Sequence, residues 1–286
     1  MTATVVGTVS DLRRYPVKSM LGEQLERAGL TEQGLEGDRA YALVDDETGK
    51  LVSVKRPNRW GRMFELRATT DGDAVRVSFP GGDAFGIDDP GLPERLSTLF
   101  GRSVSVAKAS LQERSYEEAW VGDLKGGASP YLGMETTIID GEEFIDAGAI
   151  MPTDQNFFDF GKVHLVTTAS TKQLAEHAPE SRFDPHRFRP NIVIAWPETG
   201  FIENEWQGRT LTIGGVHLRI GIPVPRCVMT TLAQDDLPAD RSVLRTISRH
   251  NGIDVLGTGT LYPCVGVYAD VDTPGEIAVG DQATID

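Results

Sequence analysis

Apolar and polar positions alternate in short runs over most of this chain, the pattern of strands with one buried face. Residues 5–17 alternate loosely around Arg13 and Arg14. Residues 41–44 and 51–54, joined by an acidic loop that closes on Gly49, predict a hairpin. Residues 75–79 and 85–87, separated by Pro80, Gly81 and Gly82, predict a second. The clearest hairpin is predicted over 210–213 and 216–220, about the Gly214-Gly215 pair. Further strands are predicted at 104–106, 163–167, 192–195, 261–267 and 276–285.

Helical spacing interrupts this pattern in three places. Leu92, Leu96, Leu99 and Phe100 share one face over 90–100, and Gly101 stands where a C-terminal cap is needed. Ser170 to Gln173 reads as a capping box that opens a helix through Leu174. Val243, Leu244 and Ile247 lie on one face over 242–250, closed by Asn251 and Gly252. Residues 110–133 are polar and bear glycines, which predicts a long surface connection or a flap. The sum is a mainly β chain with α, an α+β fold whose first third suggests a small barrel or sandwich.

Composition adds constraints. The 286 residues suffice for one large or two ordinary domains with a sizeable core. A net charge of -14 argues against a nucleic-acid backbone as the main partner, although a small anion can still bind a local basic pocket. Two cysteines, Cys227 and Cys264, make no disulfide framework, so a reducing compartment is expected. There is no basic, then apolar, leader at the N-terminus and no run of about 18 apolar residues. A soluble, cytoplasmic protein without a membrane partner is the expectation.

Several chemistries lack their residues. No glycine-rich dinucleotide loop, P-loop, zinc-binding His-Glu-x-x-His, CxxC pair or Gly-x-Ser-x-Gly elbow is present. What remains is a set of basic and polar residues at turns. Arg226-Cys227 follows a Pro-x-Pro turn; a cation beside a cysteine favours the thiolate, which binds soft metals or attacks. Cys227 fits that role or that of a small inert hydrophobe. Lys18 and Ser19 follow Pro16; Lys18 is a solvated turn lysine or an anion ligand. Arg39, behind Gly34 and Gly37, pairs with Asp38 or Glu36 or binds a phosphate bidentately. Arg189 and Asn191 flank Pro190, where they close a turn or offer a guanidinium fork and an amide. Ser170 is a helix cap, a ligand contact, or both. Cys264 and the tryptophans Trp120, Trp196 and Trp206 read as structural.

These motifs together resemble a known family. Tyr15-Pro-Val-Lys-Ser19 and Gly37-Asp-Arg39 resemble the N-terminal β-barrel region of MOSC proteins. Phe188-Arg-Pro-Asn-Ile-Val193, Trp206 followed by Ile213-Gly214, Arg226-Cys227 followed by Thr230-Thr231, and the closing 274–281 stretch resemble the MOSC domain. The order of motifs is similar to the branch of amidoxime-reducing components. The resemblance implies an N-terminal β-barrel-like domain over 1–108 and a MOSC-type β-barrel domain with flanking helices over 109–286. It implies molybdenum cofactor, with Cys227 as the molybdenum ligand and Lys18, Ser19, Arg39, Ser170, Arg189, Asn191 and Arg226 in contact with the cofactor. The implied activity is reduction of N-hydroxylated small molecules. The chain has no cysteine cluster for an iron–sulfur centre, so no intrinsic cluster or flavin is expected and a separate electron-donor protein is. The competing expectations are a non-catalytic cofactor or sulfur carrier that uses Cys227, and a module that keeps the fold without the cofactor.

Overall fold

A computed structural model describes residues 4–109 and 156–286, and between them the backbone of three short strands, Glu117–Ala119, Thr136–Ile139 and Glu142–Asp146. Most of the 110–133 segment, Trp120 included, lies outside the described residues. The architecture is mainly β with four α-helices among the described residues, in agreement with the predicted class. The chain divides into two compact units, interleaved along the sequence. One comprises Met1–Arg14, Gln24–Asp38 and Phe160–Asp286; the other comprises Tyr15–Glu23 and Arg39–Asp159.

The first unit is built on a closed barrel. Its strands run Thr4–Arg14, Gln282–Ile285, Thr210–Ile213, Val216–Pro225, Tyr262–Thr273, Val163–Thr167 and Ile192–Ala195, which pairs with Thr4–Arg14 again. Closure leaves no free edge along this path. Every pairing on it is antiparallel except Val163–Thr167 with Ile192–Ala195. A parallel pair needs a crossover, and the helix Thr168–His177 lies in that connection.

Period-2 alternation sorts the side chains. Val216, Leu218 and Ile220 are buried while His217 and Arg219 are exposed. In Val163–Thr167, Leu165 joins the barrel core, and its neighbour Val166 joins an outer cluster with Leu174, Phe188, Val243, Ile247 and Val265. Thus the helices Thr168–His177 and Arg241–His250 cover one wall of the barrel. Gly266 has a φ of +77°, and a Cβ there would overlap the Leu165 carbonyl and crowd the His164 ring. Only glycine fits where these strands approach.

The structure moves one predicted cap. The helix starts at Thr168, and the side chain of Thr167 accepts from the Ser170 N–H at 3.3 Å. Ser170 is therefore in the first turn rather than at its cap. The Ser-Thr-Lys-Gln pattern matched the capping signature, but two hydroxyl residues upstream extend the helix.

In the second unit Tyr41–Asp45 pairs residue by residue with Val104–Lys108. The predicted 41–44/51–54 hairpin is thus corrected: Leu51 makes a single bridge to Val44, and the Val52 N–H donates to Leu43 O, but the full ladder goes to a strand about sixty residues away. Ala74–Ser78 and Ala84–Gly86 form the second predicted hairpin, with Arg67–Asp71 added as a third strand. The helix Leu92–Phe100 ends on Gly101 in the left-handed conformation, as the spacing predicts.

Candidate functional site

In the second unit, Lys18 lies just after the first-strand region and is 5% exposed. Its Nζ donates to the Phe157 carbonyl at 3.1 Å and to Asp159 Oδ1 at 2.6 Å. Lys55 Nζ, also buried, is 3.3 Å from Asp159 Oδ2. Arg39 lies over the Tyr15 ring at 5.0 Å and near the Phe158 ring at 6.0 Å. Burial lowers the Lys18 pKa, and the Lys55 and Arg39 charges add to this against the pull of Asp159. Burial would raise Asp159, but the Lys18 and Lys55 charges outweigh it and hold the carboxyl well below the usual range. Three cations thus act on one carboxylate, within an acidic chain. Lys55 and Asp159 escaped the sequence reading. The one available signal was a lysine inside the apolar 51–55 run, ahead of Pro57.

Backbone geometry marks Arg39 again. Four non-glycine residues among those described have left-handed φ: Ser19, Arg39, Arg189 and Asp235. Three of them are candidate site residues. Such conformations cost about 1 kcal/mol or more and persist where surrounding structure enforces them. Arg39 is enforced by its N–H donating to Tyr15 O at 2.8 Å and its carbonyl accepting from the Phe157 N–H at 2.8 Å. Ser19 Oγ accepts from the Val54 N–H at 3.2 Å. Arg189 follows the turn Pro185–Phe188, where its N–H donates to His186 O at 3.0 Å.

The first unit holds the remaining candidates. Cys227 is partly exposed, on extended backbone before the turn Val228–Thr231. The Thr230 N–H and hydroxyl donate to the Cys227 carbonyl at 3.2 and 3.0 Å. Cys264 is buried, donates to Tyr262 O, and has its thiol pushed up to about 12 by burial, against the Arg226 charge. The two sulfurs therefore differ in access, and the positive charge that Cys264 feels comes from Arg226.

Arg226 and Cys227 are adjacent, and extended backbone sends successive side chains to opposite sides. The guanidinium of Arg226 is 9% exposed and donates to Val265 O, to Phe188 O at 3.1 Å and to His164 Nε2. A guanidinium only donates, so His164 accepts at Nε2 and carries its proton on Nδ1, 3.3 Å from the Arg189 carbonyl. Asn191 Oδ1 accepts from the His164 N–H at 3.1 Å, and its Nδ2 donates to Arg13 O at 3.2 Å. Arg226, His164 and Asn191 thus form a buried frame that fixes the Phe188–Asn191 segment; of the three, only Asn191 had a structural role among its sequence expectations. Ser170 is buried, its Oγ 3.5 Å from Gly200 O. Beside it lies Glu203, buried, with Oε2 accepting from Thr167 Oγ1 at 2.7 Å; burial raises its pKa. Among the described residues no group of three or more His, Cys, Asp or Glu side chains is placed to hold a metal ion.

Two family profiles match the chain. The MOSC N-terminal beta barrel domain profile matches residues 6–124, and the MOSC domain profile matches 152–284. The chain belongs to the MOSC-domain proteins. It is 27% identical over 289 residues to mitochondrial amidoxime-reducing component 1 of Homo sapiens, an alignment that covers 96% of this chain and 82% of the relative. It is 26% identical over 297 residues to mitochondrial amidoxime reducing component 2 of Bos taurus, with the same coverage. Molybdenum cofactor sulfurase of Drosophila persimilis is 27% identical over 252 residues, 82% of this chain but 30% of that protein. Among solved structures, the YUAD protein from Bacillus subtilis aligns with a TM-score of 0.44 at 12% identity, over 100% of this chain and 96% of that one. No helix among the described residues is long and apolar enough to cross a membrane.

Proposed function

We propose that this protein is a molybdenum-cofactor oxidoreductase that reduces N-hydroxylated small molecules, with electrons from a separate donor protein. The observation that carries the reading is the enforced left-handed backbone at Ser19, Arg39 and Arg189, three residues of the expected cofactor set. Amidoxime-reducing relatives aligned over nearly the whole chain add support.

Each unit carries residues of the chemistry the group needs. Lys18, Arg39 and Lys55 offer positive charge to its phosphate. Arg189 and Ser170 are assigned to the pterin and phosphate contacts, with Asn191 and Arg226 holding the segment that presents Arg189. Cys227 is the partly exposed sulfur and is assigned to the metal. A bound molybdenum cofactor would supply a two-electron reduction in which the N–O bond breaks, two protons are taken up, and the oxygen leaves as water. The chain's own part is to hold that group and to keep the thiol of Cys227 in a fixed orientation.

A second reading follows from the similarity to molybdenum cofactor sulfurase: a carrier in which Cys227 holds sulfur or cofactor for another enzyme. Protein purified from a host that makes the cofactor is expected to contain about one molybdenum and one pterin per chain. It is expected to reduce benzamidoxime with an artificial donor, and Cys227→Ala is expected to abolish this. Cofactor without reduction favours the carrier. Parental rates in Cys227→Ala remove the ligand assignment, and absence of both metal and pterin removes the oxidoreductase and the cofactor carrier, leaving a carrier of sulfur alone.

A further inference from the structure

Arg187 is fully buried, and nothing in the proposed reading uses it. Its guanidinium donates in four directions: Nε to Arg182 O at 3.1 Å, Nη1 to Thr230 O and Leu232 O at 3.2 Å each, and Nη2 to Pro238 O at 3.0 Å. No carboxylate accepts from it in these bonds, so a charge has been buried to satisfy carbonyls. Burying a guanidinium is costly, and burial indeed lowers its pKa against the pull of Asp240. Such a cost is expected to serve the segment it holds. That segment is the turn after Cys227. Gln234 adds to the hold: its Nε2 donates to Arg187 O and to Met229 O, both at 3.2 Å. The turn in turn grips Cys227, because the Thr230 N–H and hydroxyl both donate to its carbonyl. Arg226, one residue before Cys227, reaches back to Phe188 O, one residue after Arg187. The two arginines therefore tie the 187–189 and 226–232 segments together reciprocally.

We infer that Arg187, with Gln234, is a positioning clamp that fixes the turn presenting the Cys227 thiol. The inference rests on the reading of Cys227 as the functional sulfur, but its test does not need molybdenum. Cys264 serves as an internal control: local release of the turn exposes Cys227 alone, whereas general unfolding exposes both sulfurs. In the cofactor-free 286-residue chain, iodoacetamide labelling of each cysteine is followed by mass spectrometry, alongside hydrogen exchange of the 228–232 amides. Arg187→Gln is expected to raise the Cys227 labelling rate about fivefold or more and to speed exchange at Thr230 and Leu232, with Cys264 unreacted. Arg187→Lys is expected to recover part of the loss, because one ammonium replaces part of the fork. Gln234→Leu is expected to act in the same direction by a smaller factor, and it carries the test if the Arg187 variants do not fold. Unchanged labelling and exchange in folded variants overturn the clamp. So does simultaneous labelling of both cysteines, which would make Arg187 a support of the whole unit. If the clamp holds and purified protein lacks molybdenum, the cofactor reading fails alone.

Discussion

Glu203 shows what burial does to a single acid. It is fully buried and accepts a hydrogen bond from Thr167 Oγ1 at 2.7 Å. Burial raises its pKa above the ordinary 4.5, and the Thr167 and Ser170 hydroxyls only partly oppose the shift. In the folded chain the carboxyl therefore binds its proton more tightly than in the unfolded chain. Stability from this residue is full below the ordinary value and declines as pH rises toward the folded one. Glu203→Gln keeps the shape and removes the titration. Urea denaturation is expected to show the parent losing stability relative to Glu203→Gln as pH rises above the ordinary 4.5; parallel pH profiles would contradict this. Nothing in the sequence around Glu203 distinguishes it from the neighbouring Glu205, since the pattern shows which residues are acidic but not which one the fold encloses.

At the scale of elements, the Thr168–His177 helix carries the next test. Its cap is Thr167, which satisfies the Ser170 N–H and also donates to Glu203. Thr167→Val is expected to cost about 1–2 kcal/mol in chemical denaturation, and Ser170→Ala less than half of that. The reverse ranking would restore the cap to Ser170. The shift of cap illustrates which information is local. Helix 92–100 and the 210–220 hairpin were legible because their determinants, a leucine face with a terminal glycine and a two-glycine turn, lie within each element. The partner of Tyr41–Asp45 was not, because its ladder with Val104–Lys108 is chosen by packing across a long separation. The same holds for the site. Cys227, Lys18 and Arg39 sit in short motifs, and the sequence singles them out. Lys55, Asp159, His164 and Arg187 were missed, because their importance lies in contacts with residues far along the chain.

Over the whole molecule, the charge of -14 opposes any anionic ligand, so local cations must supply the attraction. Lys18, Lys55 and Arg39 would do this at a cost, since two of them are buried ammonium groups of like charge. Asp159 offsets that cost. Its carboxyl stays ionised because the Lys18 and Lys55 charges outweigh the burial that opposes ionisation. A depressed folded pKa gives stability that is present above the ordinary 3.8 and lost as pH falls through the folded value. Asp159→Asn removes the charge that both lysines pair with, without changing the shape. The variant is expected to lose about 3 kcal/mol at pH 7, and the gap from the parent should narrow in strong acid. If the cluster is an anion cradle, inorganic phosphate at 10 mM, about the millimolar range of weak single-anion binding, should restore stability to Asp159→Asn more than it stabilises the parent. Lys18→Met in the same background should abolish that rescue. Equal stability of Asp159→Asn and parent at pH 7, or phosphate rescue that survives loss of Lys18, would show that these cations belong to the core of the unit and not to a ligand.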